Sequence, residues 1–503
     1  MPAKFYKAIL VVVAIVLMVG VSQVQRALNR DRDALGLNRY TELKGAPPVL
    51  ALTTVALGGF RGLIANGLWI RASDLQDNDK FFEMVQLADW ITKLEPHFTQ
   101  VWLVQAWNMA YNISVKFKEP QDRWRWVQRG IELLRDDGLR YNPNEILMYR
   151  ELAWFFQHKM GANLDDANMY YKQAWANEMS KVFGVERPNW DELLNPKTAD
   201  ATNRVKLLRE KYKMDPEFMK QVDERYGPLE WRLPEAHAIY WAAKGLDEAK
   251  KNEKKVNPDD MITLRRVIYQ SMQLSFQRGR LIANKVDKQF EFGPNLDIIP
   301  KVNAAYEQAE EEDEKNRDHI QTAHRNLVRD VVFFLYSYNR EADAAEWFKY
   351  LGKKFPNKML LDGDTNSLPG KITLDEYAIG RIQEEVKDPG VDKVKAVIAG
   401  MERTAFKSLA VGEDDRFIAL EAMAQKAWNF YNDKIKGDQR AKDRVGLTPL
   451  PEIRKDVLNR LLNEEFSSEL ANQLRTKLNL PAATNAPPPD LGTNAVATEV
   501  KNK

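Results

Sequence analysis

At 503 residues the chain is long enough for several domains or for one extended repeat array, and 44% hydrophobic with 10% aromatic residues exclude wholesale disorder. Its 74 basic and 72 acidic residues leave a formal charge of +2, which gives no general reason to expect nucleic acid as a partner. No cysteine is present, so disulfides, thiolate nucleophiles and Cys-ligated zinc or iron–sulfur centres are excluded together.

Lys4 and Lys7 precede an apolar run from Ala8 to Val21 that Val24 extends, the layout of an export signal's n- and h-regions. Residues 1–24 are expected to form a membrane helix retained as a signal anchor, although Gly20-Val21-Ser22 offers a small-x-small cleavage site. Arg26, Arg30 and Arg32 open a polar tether over 25–48, which closes on Gly45-Ala46-Pro47-Pro48. Val49 to Ile70 is apolar again and glycine-rich. Arg61 and Asn66 would be costly in lipid, so this stretch reads as the first buried helix of the folded part, docking closely through Gly62 and Gly67.

Residues 49–184 then read as helix pairs. Met84, Ala88, Ile91 and Pro96 mark the end of a first pair. A second runs from Thr99 to Tyr141, with Trp102 and Ala106 on one helix and Trp124, Val127, Ile131 and Leu134 on the other. Pro96 to Pro143 spans 47 residues, which implies long helices and a turn near Lys118-Glu119-Pro120. The third has Tyr149, Leu152, Ala153 and Phe156, then Ala167, Tyr171 and Ala174 beyond a turn at Gly161-Ala162-Asn163. A small residue flanked by aromatics lets two helices approach closely while the rings fill the groove beside it. In this order of residue types the segment resembles the tetratricopeptide-repeat (TPR-like) superfamily, whose usual period is about 34 residues. The layout of anchor then repeats is similar to uncharacterised bacterial membrane-anchored members. The resemblance implies a right-handed superhelix with a concave partner-binding face, and it brings no catalytic residue or cofactor.

Residues 185–300 depart from the pattern. Pro188, Asn195-Pro196 and Gly227-Pro228 punctuate an insertion with a charged helix around Arg204 to Tyr212. Pro234 then opens a helix, Thr263 to Ala283 reads as its partner, and short strands are expected near Phe290, Phe292, Ile298 and Ile299. Over 301–360, Ala344, Phe348, Leu351 and Pro356 mark one more pair, led by a helix from Leu327 to Tyr338. The region 361–480 reads as four helices: Leu374–Val386, Val391–Leu409, Asp415–Lys434 and Pro451–Leu478. From 481 to 503 the chain is rich in Ala, Thr, Asn and Pro and is expected to be a disordered tail. The expected fold is all-α: a membrane helix, a degenerate TPR-like α-solenoid, a divergent insertion and that tail.

No zinc-protease motif, phosphate loop or dinucleotide fingerprint occurs, and Gly58-Gly59-x-x-Gly62 lacks the lysine and the preceding strand. His319 and His324 lie five apart and do not share a helix face as metal ligands four apart would. Glu235 and His237, two apart, point in different directions and do not converge for acid–base work. Arg123-Trp124-Arg125-Trp126 with Arg129 reads as an amphipathic helix burying its tryptophans and exposing its arginines, not a single-strand nucleic-acid site. The chain is thus expected to be a non-enzymatic scaffold that binds protein and needs no cofactor, metal or nucleic acid. It would sit single-pass in the bacterial inner membrane, its helical domain on the extracytoplasmic side. Partner-binding residues are expected among polar side chains of inner helices, at Gln105, Asn108, Asn112 and Arg150. The alternative is an envelope enzyme or glycan-binding protein whose site lies in 185–300.

Overall fold

A computed structural model describes residues 3–34, 60–184, 187–251, 257–283, 290–385, 391–436 and 448–481, and among these helix dominates. Most of the expected tether, the glycine-rich start of Val49–Ile70 and nearly all of the expected tail lie outside the described residues. Contacts divide the chain into two units, one of residues 1–105 with 140–143, the other of 106–139 with 144–503.

In the first unit, α1 (Ala3–Ala34) continues past residue 24 across the start of the expected tether. Its side chains at Val12, Val13, Ile15, Val16, Leu17, Val19 and Val21 are exposed. Among the described residues no helix is long and apolar enough to cross a membrane. Helix α2 (Phe60–Asp77) packs on α3 (Phe81–Leu94). The expected docking through glycines is corrected: a Cβ at Gly67 would meet nothing within 4 Å. Ala65, Ala72 and Leu75 make the close face instead, against Met84, Ala88 and Ile91. Helix α4 (Thr99–Trp107) begins here, where Trp102 stacks on Tyr141 and donates its Nε1–H to the Pro96 carbonyl at 2.9 Å.

The second unit carries three helices that each widen into a π turn. These are α4 at Asn108–Ile113, α5 (Pro120–Glu132) at Leu133–Gly138 and α6 (Ile146–Trp154) at Phe155–Gly161. A π turn accommodates an extra residue without breaking the helix. The long step between prolines is therefore absorbed partly inside helices, not only in the turns. Helix α7 (Asn168–Phe183) packs on α5, and α8 (Trp190–Leu194), α9 (Ala199–Glu210) and α10 (Pro216–Tyr226) form the insertion. Next come α11 (Pro234–Lys251) and α12 (Pro258–Arg278), which pack on each other and on α6. A Cβ at Gly245 would lie 2.8 Å from Tyr149 Cβ and 3.1 Å from a Leu264 methyl, so the helices approach closely here. Proline at the first turn starts α5, α10, α11 and α12, where its missing N–H has no intrahelical partner to lose.

The expected helix through Ala283 stops at Arg278, because Arg280–Ala283 forms β1 against β2 (Phe290–Gly293). Ile298 and Ile299, expected in strands, are instead the buried start of α13 (Ile299–Glu312). Helix α14 (Arg317–Ser337) pairs with α15 (Glu341–Lys354), and α16 (Leu374–Glu385) packs on α14. Helices α17 (Val391–Ala410) and α18 (Asp414–Lys436) pair in turn. The single helix expected from Pro451 to Leu478 is two, α19 (Leu450–Arg460, with a π turn to Glu465) and α20 (Ser468–Lys477). Phe466 is extended there, and the Ser467 side chain caps the new helix by accepting from the Leu470 N–H.

Candidate functional site

The four polar residues expected to face a partner are partly or wholly covered in the fold. Gln105 is 3% exposed and donates from Nε2 to the Val85 carbonyl at 3.3 Å. Asn108, 1% exposed on the first π turn, accepts at Oδ1 from Asn112 Nδ2 at 3.1 Å. Arg150 is half-buried and reaches Glu151 at 3.4 Å. Gln105 and Asn108 are thus buried in the free chain, while Asn112 and Arg150 are half-buried.

An amide-rich groove in the second unit is built from other residues. It encloses about 560 Å3 between the π turn of α6, the outer face of α12, α13 and the start of α14. Arg266, Gln270, Gln273 and Gln277 line it from α12. Their spacing of four, three and four puts them on one helical face. Trp154, Gln157, His158, Tyr306 and His319 line it as well.

Several of these side chains are fixed by their neighbours. Gln157, on the π turn, donates from Nε2 to the Val267 carbonyl at 3.1 Å and Ser271 Oγ at 3.2 Å, and its Oε1 is buried without a partner. His158 stacks on Trp154, ring centres 4.5 Å apart, and its Nδ1 lies 3.1 Å from the Tyr111 hydroxyl. Burial, and then the Lys159 charge, lower the His158 pKa and favour a neutral ring. Burial likewise raises the Tyr111 pKa, so that phenol stays protonated and can donate to Nδ1, leaving the ring proton on Nε2. The Tyr306 hydroxyl donates to Gln273 Oε1, which orients that amide, and Gln277 Nε2 reaches Asp330 at 3.3 Å. Arg266 is held by Asp313 at 2.9 Å.

A turn beside the groove is clamped by buried charge. Arg278 donates from Nε to Glu235 Oε1 at 3.0 Å, from Nη1 to Asn163 Oδ1 at 2.9 Å, and also to the Gly161 carbonyl. Lys172 donates to Asn163 at 3.0 Å and to Asn168 at 2.7 Å. Burial, with the Arg278 charge next, pushes the Lys172 ammonium down to about 8. Glu235 therefore works with Arg278 and not with His237. His237 donates from Nε2 to the Trp231 carbonyl, 2.9 Å away, among Phe156 and Trp175, and burial pushes its pKa down to about 4.

The Arg123–Arg129 segment needs one correction. Trp124 is buried and Trp126 half-buried, while Arg125 and Arg129 are exposed, as an amphipathic helix requires. Arg123, however, is buried and pairs with Asp165 at 2.9 Å and Asp166 at 2.8 Å. Among the described residues no group of three or more His, Cys, Asp or Glu could hold a metal ion.

Side-chain amides both donate and accept, as a peptide unit does, so a row of them can bond an extended main chain of any sequence. Gln270 to Gln277 spans roughly 10 Å at a helical rise of 1.5 Å per residue, the length of about three extended residues at 3.3 Å each. The glutamine spacing was readable in the sequence. What periodicity could not tell is that this polar face of α12 looks into a groove and not into bulk water. No family model matches the chain, and neither does any curated protein or solved structure compared with it.

Proposed function

We propose that this chain is a non-enzymatic, TPR-like helical scaffold that holds an extended segment of a partner protein in the groove along α12. The observation that carries the reading is the row Gln270, Gln273 and Gln277, which lines one groove together with Trp154, Gln157 and His158. Attachment to a bacterial envelope membrane, with the helical part on the extracytoplasmic side, completes the proposal. It is supported by the basic residues ahead of α1 and by that helix's exposed valines, isoleucine and leucine. A glycan ligand is the second reading, because Trp154, Tyr269 and Tyr306 line the same groove and α12 belongs to the divergent segment.

The test uses the full chain in its native membrane, with a photo-crosslinking residue at the exposed position Gln270. The expected product is a protease-sensitive adduct that the triple variant Gln270→Ala, Gln273→Ala, Gln277→Ala reduces at least tenfold when the crosslinker sits at His319. Its helical circular dichroism and melting temperature should hardly move. An adduct removed by glycosidases and not by protease would transfer the site to the glycan reading. Undiminished adduct in the triple variant would remove the groove from consideration. Deleting residues 1–30 should release the protein from membranes. Continued sedimentation after a high-salt wash would place the attachment elsewhere.

A further inference from the structure

A second cleft of about 580 Å3 lies in the same unit, where the root of the β1–β2 hairpin meets the end of α14 and the start of α18. Five arginines line it: Arg187, Arg232, Arg280, Arg340 and Arg416. Most of this charge is spent internally. Arg232 forks onto Glu230, both bonds being 2.7 Å, and Arg280 forks onto Glu413, one bond being 3.1 Å. Arg340 is held by Asp343 at 2.6 Å, and Asp414 by Lys477 at 2.9 Å.

Arg416 stands apart from these pairs. Its guanidinium lies over the Tyr338 ring at 4.8 Å from the centroid, and Arg280 approaches the same ring at 5.8 Å. Tyr338 is only 8% exposed. The Arg280 Nε and the Arg416 Nε are buried without a hydrogen-bond partner, and the buried Tyr338 hydroxyl meets no acceptor for its proton. Leaving a buried donor without an acceptor is costly, and all three residues line one cleft. All three can donate, so what is missing is an acceptor. Arg280 acts on the phenol by hydrogen bonding as well as by charge, but as a donor it supplies no acceptor for the hydroxyl proton.

We propose that this cleft binds a carboxylate, received by Arg416 and the Tyr338 hydroxyl beside Arg280. A carboxylate fits better than a phosphate, because Asp297 and Asp415 also line the walls and would repel a dianion. The carboxylate comes either from a small organic acid or from the C-terminus of a polypeptide. The inference does not depend on the α12 groove.

Full-length protein in detergent is titrated with acetyl-trialanine bearing a free C-terminus, with its C-terminal amide, with succinate and with inorganic phosphate. Calorimetry and thermal melting are the readouts. The expected result is saturable binding of an unamidated acid and at least tenfold weaker binding of phosphate and of the amide. Tighter binding of the peptide acid than of succinate assigns a polypeptide terminus, and the reverse order assigns a small acid. Arg416→Gln should weaken the acid at least tenfold, and Tyr338→Phe severalfold. Tyr338→Phe keeps the ring and therefore decides the matter if Arg416→Gln disturbs folding. Equal binding of acid and amide, phosphate binding as tight as the acid, no saturable acid binding, or unchanged affinity in Tyr338→Phe would each overturn the proposal.

Discussion

Two buried carboxylates in the second unit meet opposite fates. The Asp165 side chain is 7% exposed and accepts at Oδ2 from Lys159, at 2.5 Å, and at Oδ1 from Arg123, at 2.9 Å. The Ala167 N–H adds a third bond at 2.9 Å. Burial by itself would raise its pKa, but the Lys159 and Ala167 hydrogen bonds, then the two cationic charges, hold it below the usual carboxylate range. Glu402, on α17, is 2% exposed, and its nearest cation is the Arg454 Nε at 4.0 Å. That arginine is engaged with Glu421 from α18, and Glu402 Oε2 has no hydrogen-bond partner. Burial therefore pushes Glu402 up to about 7, with Arg454 opposing and Glu421 adding to the shift. The difference teaches that burial sets the cost of a charge, while the ratio of cations to carboxylates decides whether the charge survives.

The strongest way to break the comparison is to remove Asp165. Asp165→Ala leaves Lys159 and Arg123 buried without their shared partner, and breaking such a pair costs about 3–5 kcal/mol. Urea unfolding should show a midpoint lowered accordingly. A loss under about 1 kcal/mol would mean that the cluster contributes no net stability.

Glu402 should behave in the opposite sense to an ordinary paired carboxylate. Its folded pKa of about 7 lies above the 4.5 of the unfolded chain, so its contribution is fully present below 4.5 and is lost as pH rises through about 7. The shift corresponds to about 3 kcal/mol across that window. Denaturation of the wild type between pH 5 and 8.5 should show falling stability, and Glu402→Gln should flatten that slope. A wild-type slope that survives the substitution would assign the titration to another group.

The smallest effect sharpens the same contrast. Glu421→Gln removes the competing carboxylate, leaving Arg454 for Glu402 alone. The pH midpoint assigned to Glu402 should then move down, by a step worth about 1 kcal/mol or less. An upward move would show that Arg454 is not shared between the two.

Much of the helical layout was legible along the chain. Proline at the first turn announced α11, whereas Pro120, read as part of a turn, and Pro216 and Pro258, not singled out, start α5, α10 and α12 in the same way. Trp124, Val127 and Ile131 marked the buried face of α5, and Leu152, Ala153 and Phe156 that of α6. The π turns were not legible, because one extra residue inside a helix disturbs the spacing of apolar positions no more than a loose turn would. The break at Phe466 was hidden for a related reason: Ser467 caps α20 in a stretch whose composition favours helix on both sides.

Local sequence determined which segments coil into helices and which faces are apolar, since propensity, capping and periodicity act over a few residues. Tertiary structure decided what the polar faces do. Arg123 is a clamp and not a surface arginine because Asp165, 42 positions away, is folded against it. Gln105 is buried while Gln270 is exposed, although both are amides on helices, because packing covers one helix face and leaves the other along a groove. A polar side chain carries no local mark of its eventual neighbours, and only the assembled helices supply them.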